Sequence, residues 1–239
     1  MEGLETRVRR PQRSMEQSVS MNREEIRKRI VEIGLLPVVR ASSAHEAKLA
    51  VDAVCEGGIP IVEIALTVPG AIEIIHELAK AHSSDVLIGA GTVLDAAAAQ
   101  RCLDAGAQFI VSPGLDLATI ELVHKAGKAV LPGALSPTEI IAAWKADADF
   151  VKVFPCGSVG GARYIKALKG PLPQIPLVPT GGVNLETAAD FILAGSEALG
   201  VGGELVQSAA LKAGKPEVIV EAARKFVEVV QQARAGRKA

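Results

Sequence analysis

Aromatic residues make up only 3% of the 239 residues, with one tryptophan and one tyrosine among them. Proteins that hold single-stranded nucleic acid stack bases on such rings, so that class has no platform here. An excess of one charge is also missing. The 26 Lys+Arg and 27 Asp+Glu leave a formal net charge of −1, and no nucleic-acid partner or anionic membrane is called for. Cys55, Cys102 and Cys156 are odd in number and widely spaced. They build neither a disulfide framework nor a zinc spacing, which points to a cytoplasmic protein. No stretch reaches ~18 uninterrupted apolar residues, so no membrane span is expected. His45, His76, His82 and His124 fall on expected outer helices with no carboxylate partner at a strand end, and neither a metal nor a cofactor is expected. The first twenty residues carry Arg7, Arg9, Arg10 and Arg13 but no apolar core, unlike a secretory signal. Residues 1–21 are expected to be a disordered leader, or to reflect a start codon upstream of Met21, with 22–239 forming one domain.

What the chain does have is a run of short β-branched segments at regular spacing. The expected strands are 35–39 (LLPVV), 60–66 (PIVEIAL), 86–90 (VLIGA), 108–112 (QFIVS), 128–132 (KAVLP), 149–154 (DFVKVF), 176–179 (PLVP) and 198–201 (ALGV). Their starts lie roughly 20 to 26 residues apart, the length of a strand–helix unit with short loops. Between them, Ala47, Ala50, Val51 and Val54 fall at i, i+3, i+4, i+7, as do Leu185, Ala188, Ala189 and Ile192. Gly57, Gly106, Gly127 and Gly195 mark helix ends, and Ser136 and Asn184 are expected N-caps. Residues 215–234 add a last amphipathic helix. Eight strands apolar on both faces, each followed by a helix, predict a single-domain α/β fold, the closed (β/α)₈ TIM barrel. A doubly wound open sheet is the alternative, because counting strands cannot see closure.

In such a barrel the chemistry lies at the C-terminal ends of the strands. Those ends read Arg40, Glu63, Thr92, Ser112, Pro132, Lys152, Thr180-Gly181-Gly182 and Gly202-Gly203. Lys152 sits inside FVKVF, on the same strand face as Phe150 and Phe154. Burial disfavours an ammonium and favours the neutral amine that attacks carbonyl groups. Glu63 sits inside IVEIAL, where an apolar setting suits a carboxyl group to proton shuttling. A buried ion pair between the two, or Glu63 pairing with Arg40, is the purely structural alternative. Lys128, at the start of its strand, is expected to face solvent. PTGGVN (179–184) and GVGG (200–203) place glycine amides in the seventh and eighth strand–helix loops, the usual anion site of barrels. Ordinary tight turns would also use glycine there. Cys156 follows Lys152 closely and reads as an incidental small residue.

Several stretches together resemble the 2-keto-3-deoxy-6-phosphogluconate/4-hydroxy-2-oxoglutarate aldolase family. They are LPVVRASS (36–43), GGIPIVEIALTVP (57–69), IGAGTVL (88–94), FIVSPGLD (109–116), LPGALSPTE (131–139), FVKVFP (150–155), YIKALKGPLPQIPLVPTGGVN (164–184) and GVGGELV (200–206). The resemblance implies a class I aldolase in which Lys152 forms the Schiff base and Glu63 is the general acid/base. It implies that Thr92 contacts a pyruvate carboxylate, that Pro132 and Phe154 line the pocket, and that Gly181, Gly182, Gly202 and Gly203 hold a phosphate. The partners it implies are a small 2-keto acid and further copies of the chain, as a homotrimer. Two departures stand out. Some members carry an arginine four residues after the glutamate, where this chain has Thr67, so Arg40 inherits the carboxylate. The last loop usually offers a serine to phosphate, and the aligned residue here is Gly203, followed by Glu204. An isomerase or synthase using the same loops, and a non-catalytic assembly scaffold, are the competing functions.

Overall fold

A computed structural model describes residues 21–82 and 85–237. The leader arginines lie outside these residues. Nine parallel strands run β1 Leu35–Val39, β2 Ile61–Ala65, β3 Leu87–Gly91, β4 Phe109–Val111, β5 Ala129–Leu131, β6 Gly133–Ala134, β7 Val151–Val153, β8 Leu177–Pro179 and β9 Leu199–Val201. Every residue in them is buried, as both-face packing requires. Neighbours pair in the order β5-β4-β3-β2-β1-β9 and β6-β7-β8. Two links close these arcs into one ring. A parallel bridge from Thr180 to Gly200 joins β8 to β9. At the other seam β5 and β6 are one barrel strand interrupted at Pro132, which has no N–H for the ladder. The Pro132 carbonyl still accepts from Lys152 N at 2.9 Å. The result is an eight-position TIM barrel, not an open sheet.

The outer helices are α2 Ala44–Glu56, α3 Ala71–His82, α4 Ala96–Asp104, α5 Leu117–Lys125, α6 Pro137–Lys145, α7 Ala162–Lys169, α8 Ala188–Leu193, α9 Ser208–Lys212 and α10 Pro216–Arg237, preceded by α1 Arg23–Ile33. Ala47, Ala50, Val51 and Val54 are fully buried, as their spacing predicts. Ser136 caps α6 through a reciprocal capping box with Glu139. Three expectations are corrected. Leu185 is 38% exposed, because residues 185–187 form a turn and α8 starts only at Ala188; Asn184 caps that turn. Lys128 is half-buried instead of facing solvent, and its ammonium donates to the Met21 carbonyl at 3.0 Å. Met21 itself, placed with the leader, packs against the core. No helix among the described residues is long and apolar enough to cross a membrane.

Helix α1 was not expected. Its signals are a capping box between Asn22 and Glu25 and two apolar residues at i, i+4, Ile26 and Ile30, both fully buried. The helix is tied to the base of the barrel just before β7. Arg23 Nε donates to Asp149 Oδ1 at 2.7 Å and its Nη1 to Asp147 Oδ2 at 2.8 Å. The Asp149 carboxylate has no exposed surface on its side chain, and its second oxygen accepts from Val130 N at 2.8 Å. Asp149→Ala leaves Arg23 Nε and the buried Val130 amide without an acceptor. It should cost about 3 kcal/mol or more, the scale of breaking a buried pair, read by denaturant unfolding. A loss below about 1 kcal/mol, the worth of an exposed ion pair, would mean that α1 is held by its isoleucines alone.

Candidate functional site

At the C-terminal end of the ring, Glu63 from the middle of β2 and Lys152 from the middle of β7 meet. Lys152 Nζ lies 3.6 Å from Glu63 Oε1, and the two side chains are 5% and 1% exposed. That separation exceeds a hydrogen bond. Both Glu63 oxygens are buried without any hydrogen-bond partner in the protein. A carboxylate so placed carries a desolvation cost that Lys152 offsets by its charge alone, without a hydrogen bond. Lys152 Nζ also stands 5.6 Å from the centre of the Phe154 ring, so one wall of the amine is aromatic.

The other residues expected at the site lie at neighbouring strand ends. Thr92 directly follows β3 and has φ 59°. A β-branched residue in the left-handed region costs about 1–3 kcal/mol and persists where the surroundings enforce it, as at ligand sites. Pro132 is buried in the β5–β6 seam beside Lys152. Ser112 and Thr180, also at strand ends, are 3% and 6% exposed. Arg40 is exposed, and its Nη1 stands 3.5 Å from where a Cβ on Gly202 would be. Its guanidinium is therefore beside the β9 loop and is not paired with Glu63.

The two glycine loops lie side by side, because Thr180 and Gly200 bridge their strands. Among the described residues, the N–H groups of Gly181, Gly182, Gly202 and Gly203 donate to no protein acceptor. Free amides of this kind are anion donors. Gly157, which the sequence reading missed, explains part of the glycine requirement. Its N–H donates to Gly181 O at 2.8 Å, and a Cβ on Gly182 would stand 2.7 Å from Gly157 Cα. Glu204, the departure in the last loop, is exposed. It lines a cavity of about 600 Å³ against α10 with Asn184, Glu186, Glu217 and Glu221. Cys156 is fully buried, and burial pushes its thiol up to about 11, so it offers no thiolate to the mouth.

Comparison with known proteins places this arrangement. A family model described as KDPG and KHG aldolase matches residues 26–222. The chain is 35% identical to the 2-dehydro-3-deoxy-6-phosphogalactonate aldolase of Escherichia coli over 198 residues, spanning 81% of this chain and 96% of that one. It is 27% identical to a KDPG aldolase from Legionella pneumophila solved with pyruvate captured at low pH as a covalent carbinolamine intermediate. That match has a TM-score of 0.78 and covers 84% of this chain and 97% of the other. It is 31% identical to a chain of a cube-shaped, highly porous cage designed by fusing symmetric oligomeric domains, with a TM-score of 0.79 over 87% of this chain and 75% of that one.

Proposed function

Since the chain belongs to the KDPG and KHG aldolase family, we propose that it is a class I aldolase cleaving 2-keto-3-deoxy-6-phosphogluconate to pyruvate and glyceraldehyde 3-phosphate through an imine on Lys152. The observation that carries this reading is the buried Lys152–Glu63 pair, 3.6 Å apart with both carboxylate oxygens unpartnered. A pair retained only for structure would close to hydrogen-bonding distance and satisfy those oxygens. An isomerase or synthase that used Lys152 and Glu63 as such a pair is disfavoured on this ground.

The Lys152 amine attacks the C2 carbonyl, and loss of water gives a protonated imine. A base takes the proton of the C4 hydroxyl, the C3–C4 bond breaks, and its electrons pass to the imine nitrogen, leaving an enamine and an aldehyde. The enamine takes a proton at C3, and hydrolysis returns pyruvate and the free amine. Glu63 moves these protons, its carboxylate being close to the reacting nitrogen and free to exchange. Thr92 and Arg40 hold the substrate carboxylate, which fixes the C3–C4 bond against the imine π-system. Phe154 and Pro132 wall the pocket. The free amides of Gly181, Gly182, Gly202 and Gly203 take the phosphate. A carboxylate ~6 Å from that phosphate would cost about 3 kcal/mol per charge at an effective dielectric of ~20. The phosphate reading therefore requires the exposed Glu204 carboxylate to point away from it.

We further take the protein to be cytoplasmic and a single domain over the described residues, supported by three free thiols and one continuous apolar core. A homotrimer is supported by Leu94 and Leu117, large apolar side chains left 67% and 58% exposed at the mouth end of the barrel, which another copy would cover.

Incubation with pyruvate and borohydride should add one pyruvate-derived mass to the peptide that carries Lys152. Labelling elsewhere, or labelling that survives in Lys152→Ala, would sink the imine. The phosphate assignment has its own check, KM for phosphorylated and unphosphorylated 2-keto acids in the parent and in Gly203→Ser. The parent should prefer the phosphorylated acid, and the added hydroxyl should tighten it about tenfold or more, the worth of one hydrogen bond to a charged group. A parent that prefers the unphosphorylated acid would contradict the phosphosugar reading and leave the aldolase one standing.

A further inference from the structure

Strand β3 carries glycine at two positions that share a face, Gly89 and Gly91. The space each leaves is filled from a neighbouring strand. A Cβ on Gly89 would stand 2.2 Å from the Phe109 ring of β4, and a Cβ on Gly91 would stand 1.8 Å from Glu63 Oε1 and 2.4 Å from Glu63 Cγ and Cδ. Non-bonded carbon atoms settle at about 3.5–4.0 Å, so neither methyl fits as the chain stands. The register shows how Glu63 comes to lie there. Glu63 pairs with Gly89, and Ala65 with Gly91. The Glu63 side chain therefore rises one step along the barrel, from the level of Gly89 to that of Gly91. The Phe109 ring fills the lower space, and the upper one is left to the carboxylate.

Hydrogen bonding does not hold it there, since neither oxygen has a partner in the protein. Packing does, and the empty position over Gly91 is the part of that packing which admits the carboxylate beside Lys152. We infer that Gly91 is a positioning residue for the aldol chemistry: its missing side chain is the slot that sets the Glu63 carboxylate against the reacting amine. This rests on the proposed role of Glu63 as proton relay. A side chain at residue 91 would drive the carboxylate out of the slot. Lys152, which reaches the mouth from the far wall of the barrel, would stay in place.

The test is Gly91→Ala, read in two assays. Borohydride trapping of pyruvate, taken to equilibrium, reports the imine on Lys152, and turnover of the 2-keto acid substrate reports the proton relay as well. Trapping should stay within about threefold of the parent, while turnover falls at least about thirtyfold, inside the range for removing a general acid/base. Turnover within about threefold of the parent overturns the inference, and so does an equal loss in both assays, which would mean a blocked pocket. Should the added methyl unfold the chain, it is placed on Glu63→Ala, which lacks the clashing atoms. The double variant should then melt with Glu63→Ala alone, and one as unstable as Gly91→Ala overturns the slot. A parent that fails to trap pyruvate strikes the proposed function instead, while the melting comparison still judges the packing of Gly91 against Glu63.

Discussion

A carboxylate and an amine placed inside an apolar barrel destabilise it unless each offsets the other. Glu63 and Lys152 meet this constraint from opposite walls. Going round the ring from β2 to β7, three strand positions intervene in either direction: β3, β4 and β5–β6 one way, β1, β9 and β8 the other. Only a closed barrel brings such strands' side chains to 3.6 Å. Closure and chemistry are therefore one requirement. The bridge at Thr180–Gly200 and the seam at Pro132 complete the ring, and each also lies next to a group of the candidate site. Thr180 leads into the first glycine loop, and Pro132 accepts the Lys152 amide.

At the base, charged side chains serve closure. Arg23 joins α1 to Asp147 and Asp149. Arg234 of α10 donates to the carbonyls of Val31, Glu32 and Glu197 at 2.6, 2.9 and 2.9 Å, the first two being acceptors that the last turn of α1 leaves open. At the mouth, polar groups are left without protein partners: the Glu63 oxygens and the amides of four loop glycines. Thr92 holds a strained backbone at the same end. The unpartnered Glu63 oxygens, the four free glycine amides and the β-branched Thr92 at φ 59° come together at the C-terminal strand ends, where barrels bind their ligands.

Much of this was legible in the sequence, for a physical reason. Strands buried on both faces must be apolar throughout, so 60–66 announced β2 at Ile61–Ala65, and the charged residues within two such runs announced themselves as Glu63 and Lys152. Helix α1 stayed hidden because REEIRKRIVEI exposes most of its surface, and only Ile26, Ile30 and the Asn22–Glu25 box speak for it. Leu185 misled because a periodic apolar residue in a turn looks the same in sequence as one in a helix. Gly91 and Gly157 were beyond reach. Each is needed for what another strand or loop brings against it across the fold, and no local pattern encodes that neighbour.

In the proposed mechanism Glu63 and Lys152 act as a unit, one holding the imine and the other moving its protons. Exchange of the pyruvate methyl protons in heavy water, followed by proton NMR, reads both steps without any aldehyde or phosphate. The parent should exchange them, and Lys152→Ala should not. Glu63→Gln keeps shape and burial but cannot exchange protons, so it should still form the reducible imine while exchange slows roughly 10²- to 10⁴-fold. Exchange in Glu63→Gln at the parent's rate would contradict the account, because the protons would then be moved by another group.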